Sequence, residues 1–224
     1  MSFYNNYFGN NQKSLDFDSF PPFLFHMGLA AEKKILTTEQ YLELERKAEF
    51  KSELINGEMY AMAGVTRKHN RIALNIASFL NNFLQDKPCR IYFADLRVQV
   101  SKTGMFTYPD LVITCGNEIM ADKRQDTLLN PKCILEILSD STEKYDRGEK
   151  FSHYQNLESL AEYILISQNQ TKAESFLRQD DNKWLYQKVE GLDNELSIQS
   201  INSKIKMEDI YKNTQDLDEN VNQS

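Results

Sequence analysis

At 224 residues the chain has room for about one globular domain, with a core that needs no staples. Hydrophobic residues at 41% and charged residues at 26% describe an ordinary soluble protein, and no run approaches the roughly 18 apolar residues of a membrane span. A formal net charge of −7 argues against indiscriminate binding to nucleic acid. It leaves open a DNA enzyme whose metal-binding carboxylates and acidic tail lower the total around a locally positive groove.

Residues 1–26 are rich in Asn and aromatics and show neither helix nor strand period. Two prolines in Phe20–His26 block a helix. They read as a poorly ordered arm ahead of a natural beginning at Met27, with no basic-then-apolar secretory leader. A single domain is expected over 27–212 and a disordered acidic tail over 213–224. Cys89, Cys115 and Cys133 are odd in number and widely spaced, without CxxC pairing. That pattern predicts reduced thiols in a cytoplasmic protein rather than a disulfide frame or a zinc site.

Thr37 or Thr38 is placed to cap a helix over TEQYLELERKAEF. Asn56–Gly57, between short apolar runs, predicts a hairpin with strands near Glu53–Ile55 and Glu58–Ala63. Ile72, Ile76, Phe79, Leu80 and Phe83 recur at three and four, the pattern of an amphipathic helix ended by Lys87–Pro88. CRIYFADLRVQVS, from Cys89, reads as one strand in which Ala94, Leu96, Val98 and Val100 alternate with polar neighbours. Thr107–Thr114 reads as a second, carrying Pro109–Asp110. Lys132–Ser139 is an apolar strand with one carboxylate, Glu136. Ser141–Ser159 forms an amphipathic helix bearing Lys150, and Ala161–Ser167 a short strand. Strand-like runs follow near 172–178, 183–189 and 196–198, then a last helical turn after Lys204–Met207. The order predicts a mixed α/β domain: a central mixed sheet flanked by helices, with additional antiparallel strands toward the C-terminus.

Glu136 shares a strand face with Ile134 and Leu138, while Leu135 and Ile137 fill the other, as in a covered central strand. A carboxylate there is costly unless something compensates it. Asp110 shares a face with Tyr108 and Val112. Each acid could be a structural ion pair with Arg97, Arg147 or Lys150. Two such acids followed by a lysine point instead to a divalent cation and a hydrolysed phosphodiester. His69 lies on a helix face with Ile72, Ala73 and Ile76, where a lone histidine is either a hydrogen-bonded boundary residue or a ligand or base. Tyr154, one turn beyond Lys150 on the same face, is placed either to touch the site or, the favoured reading, to pack with Phe151 and Leu157.

YLELERKAEFKSELINGEMYAMAG, the helix with His69, YPDLVI, ILEILSDST, YDRGEKFSHYQN and AEYILI carry a resemblance in their order and spacing. The chain resembles the PD-(D/E)XK nuclease superfamily of restriction endonucleases, and more closely its Uma-two family of endonucleases, over roughly Thr37 to Tyr211. The resemblance implies a restriction-endonuclease-like core and DNA phosphodiester hydrolysis that depends on Mg²⁺ or Mn²⁺. It implies Asp110 and Glu136 as metal-binding acids and Glu53 as an additional N-terminal acid, and His69 matches a family histidine. One departure stands out: the superfamily has Lys two residues after its second acid, where this chain has Leu138. The closer family carries its lysine on the following helix, which points to Lys150, there to orient the attacking water or offset charge developing on the phosphate. The alternative is a nuclease-fold protein that no longer cleaves and serves as a binding or regulatory module. Cutting both strands of DNA would suit a homodimer with a two-fold axis.

Overall fold

The computed structural model describes residues 35–217; the arm expected over 1–26 and residues 218–224 of the expected tail lie outside them. Of the two candidate caps, Thr37 opens α1 (Thr38–Glu45). Its hydroxyl accepts from the Gln40 N–H, and the Gln40 side chain accepts from the Thr37 N–H, which satisfies two otherwise orphaned donors. Asn56 and Gly57 both adopt positive φ, 51° and 82°, as a tight two-residue turn requires. They join β1 (Ser52–Ile55) to β2 (Glu58–Ala61), and a side chain at position 57 would collide with Ile35. The amphipathic helix α2 (Arg67–Leu84) follows and buries Ile72, Ile76, Leu80 and Leu84.

The run from Cys89 is not one strand. It divides into β3 (Cys89–Phe93) and β4 (Arg97–Val100), broken at Ala94, where φ is +55°. The Tyr-Pro-Asp run divides in the same way, into β5 (Met105–Thr107) and β6 (Leu111–Cys115), which leaves Asp110 between strands rather than inside one. Phe93 pairs with Leu111 and Val98 with Thr107, so residues 94–97 oppose 108–110 with one residue extra. This bulge bends the two-stranded ribbon out of one sheet and into another. Apolar alternation reports which side chains are buried, not which sheet buries them, so the run looked continuous.

The remaining elements are β7 (Thr127–Leu128), β8 (Cys133–Leu138), α3 (Glu143–Tyr145), a π-helical turn over Asp146–Lys150, and α4 (Phe151–Tyr154). Then come β9 (Glu162–Ser167), β10 (Lys172–Arg178), β11 (Trp184–Glu190), β12 (Glu195–Ile198), β13 (Ser203–Lys206) and α5 (Met207–Ile210). One sheet has the order β2-β1-β5-β4-β7, a larger one β11-β10-β9-β8-β6-β3, and β12-β13 form a small antiparallel pair. β8 and β9 run parallel, as do β4 and β7, so both larger sheets are mixed.

The larger sheet has a core on each face. Leu135 and Ile137 of β8 pack with Ile72, Ile76 and Leu80 of α2 and with Met207 and Ile210 of α5. Ile134 and Leu138 pack on the other side with Val98 and Val100 of β4 and with Phe151 and Tyr154 of α4. Glu136 belongs to this second face, as its place in the alternation requires.

The cysteines correct the sequence expectation. Cys89 and Cys115 are bonded to each other, and Cys133 is a buried free thiol. The pair stands directly opposite in the β3–β6 ladder, a proximity that spacing in the sequence does not convey. The argument for a reducing compartment, drawn from unpaired thiols, loses its basis. At the other end, Thr214 is buried with its hydroxyl donating to the Tyr211 carbonyl oxygen. No helix among the described residues is long and apolar enough to cross a membrane.

Candidate active site

All six residues of β8 are buried, including Glu136. The chain leaves the strand through Ser139–Thr142 and returns as the helical stretch 143–154. Asp146, Lys150 and Tyr154 recur there at intervals of four, which aligns them on one face. All three are buried, and the π-helical turn carries the first two; such turns in helices are frequent at functional sites.

The Lys150 ammonium is 2.9 Å from Oε1 of Glu136, 3.3 Å from Oε1 of Glu53 and 3.6 Å from Oδ1 of Asp146. The Tyr154 hydroxyl donates to the same Glu136 Oε1 at 2.9 Å. Oε2 of Glu136 accepts from the Asp110 N–H at 3.3 Å. Asp110 is held in turn: Oδ2 accepts from the Ile137 N–H at 2.7 Å, and Oδ1 lies 3.0 Å from Nε2 of His69 in the first turn of α2. Glu53, in β1, accepts from the Thr107 hydroxyl and from the Tyr108 N–H at 3.2 Å.

The five residues singled out from the sequence, Glu53, His69, Asp110, Glu136 and Lys150, therefore form one connected cluster. It is supplied by both larger sheets, the ribbon bend, α2 and the π-helical turn. It is open at one point: the Asp110 side chain is 23% exposed, against 4% for Glu136 and 7% for Lys150. Of the three structural ion-pair partners, Arg97 is engaged with Asp126 and Arg147 with Glu143 and Glu174, whereas Lys150 does pair with Glu136. A cavity of about 590 Å³ is lined by Leu84, Cys89 and Gly116 at the end of β3 remote from Asp110.

Burial pushes the Glu136 carboxyl up to about 8; the Lys150 ammonium opposes the shift, and repulsion from Asp146 and Asp110 adds to it. Asp146 is raised as well, again chiefly by burial. For Lys150, burial favours the neutral amine, but the surrounding groups, Glu136 and Glu53 foremost, together outweigh it and hold the group well above the ordinary lysine range. Three carboxyls face one ammonium, with Asp110 adjoining. The cluster has room for more positive charge.

Counting lone pairs shows where. A carboxylate has about four acceptor positions. Oε1 of Glu136 is filled by Lys150 and Tyr154, while Oε2 takes one hydrogen bond, from Asp110 N–H. Each oxygen of Asp110 also takes one. Glu53 Oε2 and Asp146 also retain acceptor capacity by this count, but Glu136 Oε2 and Asp110 hold theirs next to the exposed point of the cluster. Among the described residues no three His, Cys, Asp or Glu side chains form a self-sufficient metal cage. Two carboxylates suffice for Mg²⁺, which is commonly held by one or two of them together with waters and substrate phosphate. The donor set fits such a cation.

Sequence reasoning placed Tyr154 one turn beyond Lys150 but favoured packing over a site contact, and it did not single out Asp146 or Thr107. Asp146 lies four residues before Lys150, so the same helix periodicity could have placed it there. Thr107 reaches the cluster only through the ribbon bend, for which no sequence signal was read.

The sequence matches the Uma2 family, described as "Putative restriction endonuclease", over residues 38–207. Two Synechocystis proteins, "Uncharacterized protein sll1609" and "Uncharacterized protein slr1290", are each 32% identical to it. The first is aligned over 77% of this chain and 97% of its own length, the second over 79% and 92%. Among solved structures, one described as "a putative nuclease belonging to DUF820" from Anabaena variabilis superposes with a TM-score of 0.65 at 18% identity. It covers 79% of this chain and 97% of its own. At that identity the likeness is one of fold.

Proposed function

The chain belongs to the Uma2 family, and on that premise we propose that it is a Mg²⁺- or Mn²⁺-dependent DNA endonuclease that adds water across a phosphodiester bond. The observation that carries this reading is the acceptor capacity left on Glu136 Oε2 and Asp110, at the one exposed point of a cluster in which several carboxyls adjoin a single ammonium. Asp110 and Glu136 would hold the cation. When bound, it would polarise the scissile phosphate and lower the pKa of the attacking water.

The chain's own groups have separable roles. The Ile137 N–H and the His69 ring fix both oxygens of Asp110, so that it presents its remaining lone pairs in one orientation. Lys150 neutralises part of the carboxylate charge and supplies a positive field for charge that develops on the phosphate. Glu53 holds that ammonium from the opposite sheet. His69 acts as an orienting partner of Asp110. A two-fold pair of chains would present one such cluster to each strand of a duplex.

The test is cleavage of supercoiled and linear DNA by purified protein with Mg²⁺ or Mn²⁺ and with a chelator. Cleavage that requires the cation and is lost in Asp110→Asn is the expected result. Cleavage unaffected by that substitution would place the chemistry elsewhere.

A further inference from the structure

Resting on the metal-dependent reading above, we infer that Tyr154 is a positioning residue that holds the plane of the Glu136 carboxylate so that one of its oxygens faces the cation beside Asp110. Packing accounts for its ring. Tyr154 is fully buried in α4 and meets Tyr163 edge-on, with ring centroids 5.4 Å apart. A phenylalanine would fill that space equally well. The hydroxyl is a separate matter: it reaches past the aromatic cluster to donate to Glu136 Oε1 at 2.9 Å, with Thr107 Oγ1 3.4 Å away.

Lys150 donates to the same oxygen but does not fix the carboxylate alone. Its flexible stem carries a compact charge shared among Glu53, Glu136 and Asp146. The terminal torsion of a glutamate is broad, so the plane of the carboxylate turns at little cost unless a second donor fixes it. The tyrosine ring has no such freedom in its packed setting. With both donors on Oε1, that oxygen is spent, and Oε2 is the one left beside Asp110. Without the Tyr154 hydroxyl, Oε1 regains a lone pair, and the carboxylate is free to turn or to be drawn wholly toward Lys150.

Outer hydrogen-bond partners of metal ligands commonly matter by about 10–100-fold in metal affinity, which sets the expected effect. Mn²⁺ binding is measured by calorimetry without DNA, at one pH and below the melting transition of every variant. The parent is compared with Tyr154→Phe, Tyr163→Phe and Glu136→Gln. Tyr163 is the matched control: it lies in the same aromatic cluster, and its hydroxyl donates to the Asp146 carbonyl oxygen at 3.1 Å rather than to a carboxylate. Tyr154→Phe should weaken Mn²⁺ binding about 10–100-fold, and its DNA cleavage should lose kcat with KM little changed. Tyr163→Phe should bind Mn²⁺ like the parent. A crystal structure of Tyr154→Phe should show the Glu136 carboxylate turned away from the Asp110 N–H. Unchanged Mn²⁺ affinity in Tyr154→Phe, with Glu136→Gln still losing the ion, overturns the positioning role and leaves the nuclease reading standing. A parent that takes up no Mn²⁺, or a Glu136→Gln variant that binds it as the parent does, overturns both.

Discussion

The Lys150 ammonium lies 2.9 Å from Oε1 of Glu136 and 3.3 Å from Oε1 of Glu53, so one residue of a π-helical turn bridges acids from two sheets. Removing it leaves Glu136, Glu53 and Asp146, all buried, without their cation, the situation in which breaking a buried pair costs about 3–5 kcal/mol. Lys150→Ala should therefore lower stability to denaturant by that order and abolish DNA cleavage. Leu138 shares the Glu136 face of β8 and packs in the same core. Leu138→Lys in the Lys150→Ala background should return part of both. An Ala variant as stable as the parent would show that the lysine is not the counter-charge of the cluster.

The site was more legible in the sequence than the sheets were. Strand and helix rises place Lys150, about seven or eight residues into its helix, level with Glu136 on the preceding strand; their polar atoms are in contact. The alternation in β8 assigns Glu136 to the face of Ile134 and Leu138, and the core clusters agree. Periodicity carries such facts because they are local. The crossing of the β3–β4 and β5–β6 ribbon between sheets is not local: it rests on one extra residue at Ala94–Arg97 and on pairing across the chain. The cysteine pair was hidden for the same reason.

Cys89 and Cys115 close a loop over a sequence separation of 26, for which chain entropy gives about 3.5 kcal/mol of stabilisation. Unfolded, unreduced protein should titrate one free thiol, Cys133, and three after reduction. Cys89→Ser should lower unfolding stability by about that amount. Three thiols before reduction would mean that the bond does not form.

Asp126 links α1 to the first sheet through Arg46, whose Nη2 is 2.8 Å from Oδ1, and it also pairs with the buried Arg97. Its hydrogen bonds from Arg46, against a smaller opposing effect of burial, hold the carboxyl well below the usual range. A carboxyl lowered in the fold stabilises it fully above the unfolded value of about 4 and loses that contribution as pH falls further. Asp126→Asn should lower the melting temperature at pH 7 by about 2–4 °C, a modest figure because the side chain is partly exposed. It should also flatten the decline of stability below about pH 4. An unchanged acid limb would remove Asp126 from the account of acid sensitivity.

The most direct measurement is the rate of DNA cleavage by the parent and by Asp110→Asn and Glu136→Gln, each with Mn²⁺, with Mg²⁺ and with chelator, alongside thermal melts. Both amides keep side-chain volume while removing the charge that would hold a cation. The account predicts cation-dependent cleavage by the parent, stopped by chelation, and a loss of activity of at least about 100-fold in each variant, since a lost electrostatic contribution to the transition state commonly costs that much. It predicts folded proteins throughout. Cleavage by Asp110→Asn at the parent's rate, or cleavage by the parent that persists in chelator, would contradict it.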